Sequence, residues 1–184
     1  MKSPFLQLII SSWLAIFLAG CKPDSSAKLS APLVSETLKV PPTDTLAFAA
    51  KGKGVQIYEC RVNKDNADQY EWVLKAPDAD LFDAHGKKIA HHYGGPTWES
   101  NDGSKVMGEL KGSERSTDAN AVPCLLLSAK RHEGNGIFSQ VNTIQRLETR
   151  GGKAPAEGCD QSAMGKEVQV PYTAMYYFYV RSGG

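Results

Sequence analysis

The stretch that decides the fold lies in the middle of the chain and reads His91-His92-Tyr93-Gly94-Gly95-Pro96-Thr97-Trp98-Glu99-Ser100-Asn101-Asp102-Gly103-Ser104. Its Gly-Gly-Pro segment predicts a loop, because glycine reaches backbone conformations closed to other residues and proline fixes its own φ. Its Asn-Asp-Gly segment has the composition of a tight hairpin turn. The stretch therefore predicts a strand, a loop, a second strand and a turn.

The same spacing of short apolar runs and turn residues continues on both sides of this stretch. Alternation from Val55 to Val62 predicts a strand that forms a hairpin with 70–74, and Pro77-Asp78-Ala79-Asp80 is expected to break the second strand. Further strands are predicted at 81–83, 88–92, 97–99, 105–110, 124–130, 137–149 and 172–180. Ala84-His85-Gly86-Lys87 is predicted to be a tight turn between the first two of these strands, with Gly86 at positive φ. A short helix is possible at 113–121 or 158–166. We expect an all-β antiparallel sandwich or barrel-like domain of about eight or nine short strands, with minimal helix.

The first twenty residues are predicted to be a signal peptide. Lys2 supplies a positive charge, and an apolar run from Leu6 to Leu18 is too short to span a bilayer comfortably. Leu18-Ala19-Gly20-Cys21 resembles the bacterial lipobox, which implies cleavage before Cys21 and lipidation of its sulfur and new N-terminus. The alternative is an ordinary secretory signal that leaves Cys21 as a spare thiol.

Residues 21–47 are expected to be a lipidated flexible tether, because Ser, Pro, Ala and Thr dominate without a sustained period. Residues 48–184 then form a single all-β domain. Lys22 stands where an Asp would act as an inner-membrane retention signal, so the expected location is the outer membrane, facing the periplasm.

The charge balance bears on the partners. The chain has a formal net charge of +1, and loss of residues 1–20 removes Lys2 and no acid, which leaves a neutral mature chain. A neutral domain lacks the electrostatic footprint of a nucleic-acid-binding protein. The expected partners are the membrane, through the lipid, and a small molecule, glycan or envelope protein.

Besides Cys21, the cysteines are Cys60, Cys124 and Cys159. An oxidising compartment permits disulfides, and three cysteines leave one unpaired. Cys124 lies in an apolar run where a free thiol packs as a small hydrophobe, whereas Cys60 ends a strand and Cys159 lies in a Gly/Pro-rich loop. We expect a Cys60–Cys159 bridge, although sequence alone does not prove the connectivity.

The stretch 91–104 also contains residue types used in catalysis. His92, Asp102 and Ser104 are those of a serine hydrolase, but Asp102-Gly103-Ser104-Lys105 lacks the Gly-x-Ser-x-Gly elbow, and Asp-Gly-Ser is more typical of a hairpin turn. Neither nucleotide-binding fingerprint is present, since Gly134-Asn135-Gly136 lacks the third glycine and Gly151-Gly152-Lys153 runs into Ala154. No catalytic residue and no cofactor are predicted.

Metal binding is a second possibility, because His85, His91 and His92 are close in sequence. His91 and His92 point to opposite faces of a strand and cannot readily hold one ion together, although either could do so with His85 across the turn. The more ordinary interpretation is one solvated and one hydrogen-bonded histidine, so no metal site is predicted.

Trp98 and Tyr93 could form an aromatic floor for a sugar or peptide, although aromatic residues in strands more often belong to the core. The candidate ligand-binding residues are His92, Trp98, Glu99, Asp102, Ser104 and Arg146.

Several segments together resemble an exported family, the domain of unknown function numbered 3455. They are Gly54–Cys60, His92–Glu99 with Asp102-Gly103-Ser104, Pro123–Leu127, Ile144–Leu147 with Thr149 and Gly151-Gly152, and Pro171–Ala174 with Tyr177–Tyr179. The resemblance covers about residues 50–180 and implies secretion and a compact domain, but no activity. Cys124 departs from the family pattern, which usually has Trp there; this supports a packing role for Cys124 and Cys60–Cys159 as the natural pair.

The leading hypothesis is a membrane-anchored envelope lipoprotein whose β domain is a non-enzymatic binding or structural module. The alternative is an envelope hydrolase or metal-assisted enzyme centred on His92, Trp98, Asp102 and Ser104. That alternative predicts that the four side chains converge on one pocket.

Overall fold

A computed structural model describes residues 30–183. The predicted signal peptide, Cys21 and the first part of the tether lie outside these residues. The described chain forms one closed antiparallel barrel in which each strand pairs with the next and the first pairs with the last. The strands are β1 (Asp44–Val62), β2 (Tyr70–Phe82), β3 (Lys88–Tyr93), β4 (Thr97–Ser100), β5 (Lys105–Glu114), β6 (Cys124–Glu133), β7 (Val141–Gly151) and β8 (Glu167–Arg181).

The all-β prediction is confirmed, and the barrel rather than the sandwich is the arrangement formed. Helix in residues 30–183 is limited to two single 3-10 turns, Glu36–Leu38 and Gln161–Ala163. The second falls inside one of the two expected helical segments, whereas 113–121 is not helical. No helix of residues 30–183 has the length and apolar composition needed to cross a bilayer.

The predicted break at Pro77 is wrong, because β2 continues through it. Pro77 pairs with Gln56 of β1, while β2 pairs with β3 only from Ala79 onward. Proline lacks a backbone N–H, and here the strand has a neighbour on one side only, so the loss of that donor is tolerated.

The three hairpins predicted around the central stretch are present. β1 pairs with β2, β2 with β3, and β4 with β5. Gly86 and Gly103 have φ of 78° and 86° in the second and third turns, a region that favours glycine. By contrast, the strand expected from residue 137 begins only at Val141, and Phe138 turns inward and is fully buried.

The barrel interior contains one continuous cluster of aromatic and aliphatic side chains. The Phe178 ring lies 4.6 Å from that of Phe48 and 5.1 Å from that of Phe138, centroid to centroid. Leu81, Ala90 and Val106 are fully buried in the same core. This core provides the hydrophobic stabilisation expected of a small barrel whose lumen is filled by side chains.

The N-terminal segment packs on the outside of the barrel. Leu38 is only 3% exposed, its carbonyl accepts a 2.7 Å hydrogen bond from Gln145 Nε2, and Tyr179 Oη donates to Gln145 Oε1 at 2.6 Å. Because β1 starts at Asp44, the predicted boundary between tether and domain at residue 48 falls inside a strand.

The predicted disulfide is present between Cys60, near the end of β1, and Cys159, in the loop before β8. Cys124 is free, as expected, but it is half-buried and not fully buried, with its Sγ 4.0 Å from Thr149 Oγ1.

Candidate functional site

Two candidate residues of the central stretch point into the barrel from adjacent strands. His92 of β3 and Trp98 of β4 are register partners, and they are 2% and 1% exposed. Their rings stack with centroids 4.4 Å apart and planes 7° apart. His92 Nδ1 lies 2.8 Å from the Thr97 carbonyl, which can only accept, so Nδ1 carries the proton. Burial lowers the pKa of His92 to about 3, and the ring is therefore neutral.

Arg146 joins this pair from the opposite side of the interior. It lies two residues after Ile144 of the core on β7, so both side chains share the inner face. Its Nε and Nη2 donate to the Pro123 carbonyl at 3.2 and 2.9 Å. No ion pair involving Arg146 is found within residues 30–183. Arg146 is 8% exposed, so this cationic side chain is buried without a carboxylate partner among the described residues.

Three tyrosines surround this charge. Tyr172 Oη lies 3.1 Å from Tyr176 Oη, and Tyr58 Oη donates to the Gly152 carbonyl at 2.6 Å. Burial raises the pKa of all three phenols, and the nearby Arg146 charge lowers each of them in part. The phenols are therefore neutral at neutral pH and do not compensate the guanidinium.

Two buried N–H donors nearby have no acceptor within residues 30–183. They are Gln56 Nε2 and Trp98 Nε1, and both residues are 1% exposed. The Gln56 amide approaches the Tyr172 hydroxyl as a hydrogen-bonding neighbour and lowers its pKa, although Gln56 Nε2 makes no hydrogen bond of normal geometry within the described part of the chain. A buried donor without an acceptor costs about 1–3 kcal/mol. We call the interior set Gln56, Tyr58, His92, Trp98, Arg146, Tyr172 and Tyr176 the polar cluster.

A cavity of about 580 Å³ lies beside the polar cluster at one end of the barrel. Tyr58 and Pro123 belong to its wall. The Pro123 carbonyl accepts a hydrogen bond from Arg146, and the Arg146 charge lowers the pKa of Tyr58 in part. Arg115 and Lys153 are the cavity's basic residues and Asp118 is its acidic residue. A cavity of this size falls within the range of small-molecule sites.

Glu99 does not belong to this interior set. It follows Trp98 on β4 and points outward, where it accepts from Tyr93 Oη at 2.9 Å and pairs with Lys105 Nζ at 3.1 Å. These donors, first the Tyr93 hydroxyl and then Lys105, hold the pKa of Glu99 below its ordinary value.

Asp102 and Ser104 form a structural clasp at the β4–β5 turn. Ser104 donates to Asp102 Oδ1 through Oγ at 2.6 Å and through its backbone N at 2.8 Å. Asp102 Oδ2 accepts from Ile137 N at 2.9 Å, and Ser104 Oγ accepts from Phe138 N at 3.2 Å. The Ser104 hydroxyl and then the Ile137 N–H lower the pKa of Asp102 to about 2. The pair therefore fastens the β6–β7 turn to the β4–β5 turn.

The four side chains of the enzymatic alternative do not converge on one group of contacts. His92 bonds the Thr97 carbonyl and stacks on Trp98, whereas Ser104 bonds Asp102 and Phe138. The hydroxyl thus has no imidazole base, because the side chains occupy different ends of β4 and its turn.

The described residues also contain no group of side chains placed to bind a metal ion. Within residues 30–183, no three His, Cys, Asp or Glu side chains are grouped to hold an ion. His91 lies on the outer face, with Nδ1 3.0 Å from Asp80 Oδ1 and Nε2 3.3 Å from Asp78 Oδ1.

The structure thus brings together three of the six predicted ligand-binding residues, His92, Trp98 and Arg146, and separates Glu99, Asp102 and Ser104 from them. Sequence reasoning missed Gln56, Tyr58, Tyr172 and Tyr176. Alternation along β1 offered one signal, since Gln56 lies on the same face as buried Ala50 and Gly52. A neutral amide on a buried face is the kind of residue that needs a partner.

The fold and the interior define a closed antiparallel β-barrel domain with a disulfide and a polar, positively charged internal cluster. The sequence profile of one family, described as "Protein of unknown function (DUF3455)", matches residues 41–180. The chain belongs to this family, as its motifs suggested. Comparison with the curated proteins finds no match.

Proposed function

We propose that this chain is an exported, lipid-anchored protein of the bacterial cell envelope whose barrel binds a small molecule and performs no catalysis. One observation carries the binding function: the barrel interior holds a guanidinium that has no carboxylate partner, and two N–H donors that have no acceptor, among the residues that the structure describes. Buried polar groups are normally satisfied by the protein, by ordered water or by a ligand. A ligand that accepts hydrogen bonds would satisfy all three groups.

The chemistry of the interior favours binding over turnover. The one histidine in the polar cluster is neutral, and its Nδ1 proton is committed to the Thr97 carbonyl. The other members are phenols, an amide, an indole and a guanidinium, none of which is an activated nucleophile. Such a set can recognise and orient a molecule but supplies no base for its conversion.

Export to the envelope rests on the sequence and agrees with the cysteine chemistry. Leu18-Ala19-Gly20-Cys21 follows an apolar run as a lipobox does, and Lys22 fits sorting to the outer membrane. The Cys60–Cys159 bridge suits an oxidising compartment such as the periplasm. Three acyl chains on Cys21 would anchor the protein firmly, since even one chain binds membranes measurably.

The anchor is tested by expressing the full chain in a bacterium and measuring the mass of its mature N-terminus. We expect cleavage before Cys21 and a mass increase for three acyl chains, with the protein in the outer-membrane fraction. The Cys21→Ala variant should lose both the lipid and the membrane association, whereas Cys124→Ala should retain them. Unlipidated wild-type protein in the soluble periplasm would contradict the proposal.

The binding function is tested on detergent-solubilised protein purified from its envelope without denaturation. Native mass spectrometry should detect a bound molecule of small mass that is released on unfolding. The Arg146→Gln variant should carry less of it, and the Arg150→Gln variant, altered at an exposed position of the same strand, should carry as much as the wild type. Protein that never carries or takes up any molecule from an envelope extract would argue for a purely structural barrel.

A further inference from the structure

We propose that the ligand of the polar cluster is a small apolar monocarboxylate, whose carboxylate pairs with Arg146 and accepts from Trp98 and Gln56. This inference rests on the proposed function and names the chemical class that the site selects. It follows from the balance of charge, from the excess of donors and from the nature of the surrounding side chains.

The charge balance calls for one negative charge. Arg146 is the charged member of the polar cluster, and the groups that its charge reaches, Tyr58, His92, Tyr172 and Tyr176, are all neutral. A buried ion is normally paired, since an uncompensated charge in a low-dielectric interior is strongly unfavourable. A single guanidinium matches a monoanion better than a doubly charged phosphate monoester.

The donor pattern calls for acceptor oxygens. Trp98 Nε1 can only donate, and Gln56 Nε2 can only donate, yet neither finds an acceptor within the described protein. One edge of the Arg146 guanidinium, Nε and Nη2, is used by the Pro123 carbonyl. The Tyr176 hydroxyl is a further hydrogen-bonding neighbour of the guanidinium, which lowers the pKa of that phenol in part. The guanidinium N–H groups beyond these contacts can pair with a carboxylate, the planar partner that guanidinium groups prefer.

The unsatisfied groups are linked through one residue, Tyr176. Arg146 is its register partner on β7, and the Trp98 ring centroid lies 5.8 Å from that of Tyr176. The Tyr172 hydroxyl, which the Gln56 amide approaches, lies 3.1 Å from the Tyr176 hydroxyl. The three donors therefore surround one region of the interior and do not lie at unrelated places.

The walls of this region favour an apolar body. His92 and Trp98 form a stacked pair, and Tyr176 meets both rings edge-on, at 5.4 and 5.8 Å between centroids. The cavity of about 580 Å³ includes Tyr58 of the polar cluster in its wall, together with Pro123 and Val122, and offers room for a hydrocarbon body. Arg115 and Lys153 at that cavity would attract an acid from solution.

The test compares acids with their neutral amides on the detergent-solubilised full chain. Benzoate and hexanoate are titrated against benzamide and hexanamide, and binding is followed by calorimetry and by tryptophan fluorescence. We expect saturable binding of at least one acid and at least about tenfold weaker binding of its amide, as expected for loss of a hydrogen-bonded charge pair. Arg146→Met should lower the affinity for the acid by at least about tenfold, while the exposed control Arg150→Met should not.

A second variant guards against misfolding of the first. Trp98→Phe keeps an aromatic ring but removes the N–H group, so the acid should bind about three- to tenfold more weakly while the domain remains folded. Equal affinity for acid and amide, or an unchanged affinity in both variants, would refute the carboxylate while leaving the binding function intact. Equal binding of inorganic phosphate or chloride would refute the apolar body. Absence of response to both acids would also overturn this inference. The proposed binding function has its own test, which is whether native mass spectrometry detects a small molecule bound to protein purified from the envelope.

Discussion

The imidazole of His92 lies parallel to the indole of Trp98, with 4.4 Å between ring centroids, because the two residues are register partners on β3 and β4. Both rings face the barrel interior, and Tyr176 packs edge-on against them. Through this stack, two residues of the stretch 91–104 form one side of the polar cluster. The stack also fixes the protonation state of the histidine, since the indole and the barrel exclude water from it.

The buried histidine predicts a loss of stability in mild acid. Burial holds the pKa of His92 at about 3, against an ordinary 6.5, so between these values the unfolded chain binds a proton that the folded chain does not. Stability from this group is therefore complete above pH 6.5 and declines as the pH falls, by at most about 1.4 kcal/mol per pH unit. Denaturant unfolding between pH 7 and 5 measures the slope.

Two variants isolate this contribution. His92→Asn removes the titrating ring and keeps a donor for the Thr97 carbonyl, so its slope over the same range should be smaller than that of the wild type. His85→Asn alters an exposed turn residue and should reproduce the wild-type slope. Equal slopes in all three proteins would show that His92 does not govern the acid response.

The disulfide predicts a large dependence on redox conditions. Cys60 and Cys159 are separated by 99 residues, and closing a loop of that length is worth about 4–5 kcal/mol on the chain-entropy model. Cys159→Ala should lower the free energy of unfolding by about that amount, and reductant should have little further effect on it. Cys124→Ala is the control, since this thiol is free and half-buried. A loss under 1 kcal/mol on the Cys159 change, in guanidinium unfolding, would contradict the expectation.

Local sequence signals account for the hairpins and their turns. Gly86 and Gly103 mark two turns correctly because their positive φ is a local requirement. The full length of β1 was not predicted in this way, since the alternation was recognised only from Val55 onward, after Gly52 and Gly54. Glycine is required at these positions by neighbours that are distant in sequence. A Cβ on Gly52 would lie 2.6 Å from Tyr176 Cε2, and one on Gly54 would lie 2.1 Å from the Asp78 carbonyl oxygen.

The polar cluster was predicted only in part, because its membership also depends on contacts between residues that are distant in sequence. His92, Trp98 and Arg146 are conspicuous residue types, whereas Tyr172 and Tyr176 belong to an aromatic run that reads as core on both faces. Closure of the barrel sets which face of β8 is interior, and closure depends on the pairing of the first strand with the last. Asp102 and Ser104 were named as candidate ligand-binding residues because the same residue types serve both in catalytic sites and in turns.

Asp102 and Ser104 at the β4–β5 turn are predicted to contribute jointly to the stability of the domain and not to ligand binding. Asp102→Ala should destabilise the domain by about 1–2 kcal/mol through its lost hydrogen bonds with Ser104 and Ile137. Ser104→Ala should cost a similar amount, and the double variant should cost less than the two together, by about 1 kcal/mol. Strict additivity in urea unfolding would mean that the pair does not act as a unit. Ligand content in native mass spectrometry should stay at the wild-type level in both single variants.

The N-terminal segment predicts that part of the expected tether stabilises the barrel. Leu38 is 3% exposed, and its carbonyl accepts from Gln145, whose own oxygen accepts from Tyr179. Leu38→Ala should therefore lower the free energy of unfolding by about 2–5 kcal/mol, the range for a buried leucine. Leu33→Ala is a matched control in the same segment, because Leu33 is fully exposed, and it should change stability by less than about 0.5 kcal/mol. Equal effects of the two substitutions in chemical denaturation would show that the segment does not pack on the barrel in solution.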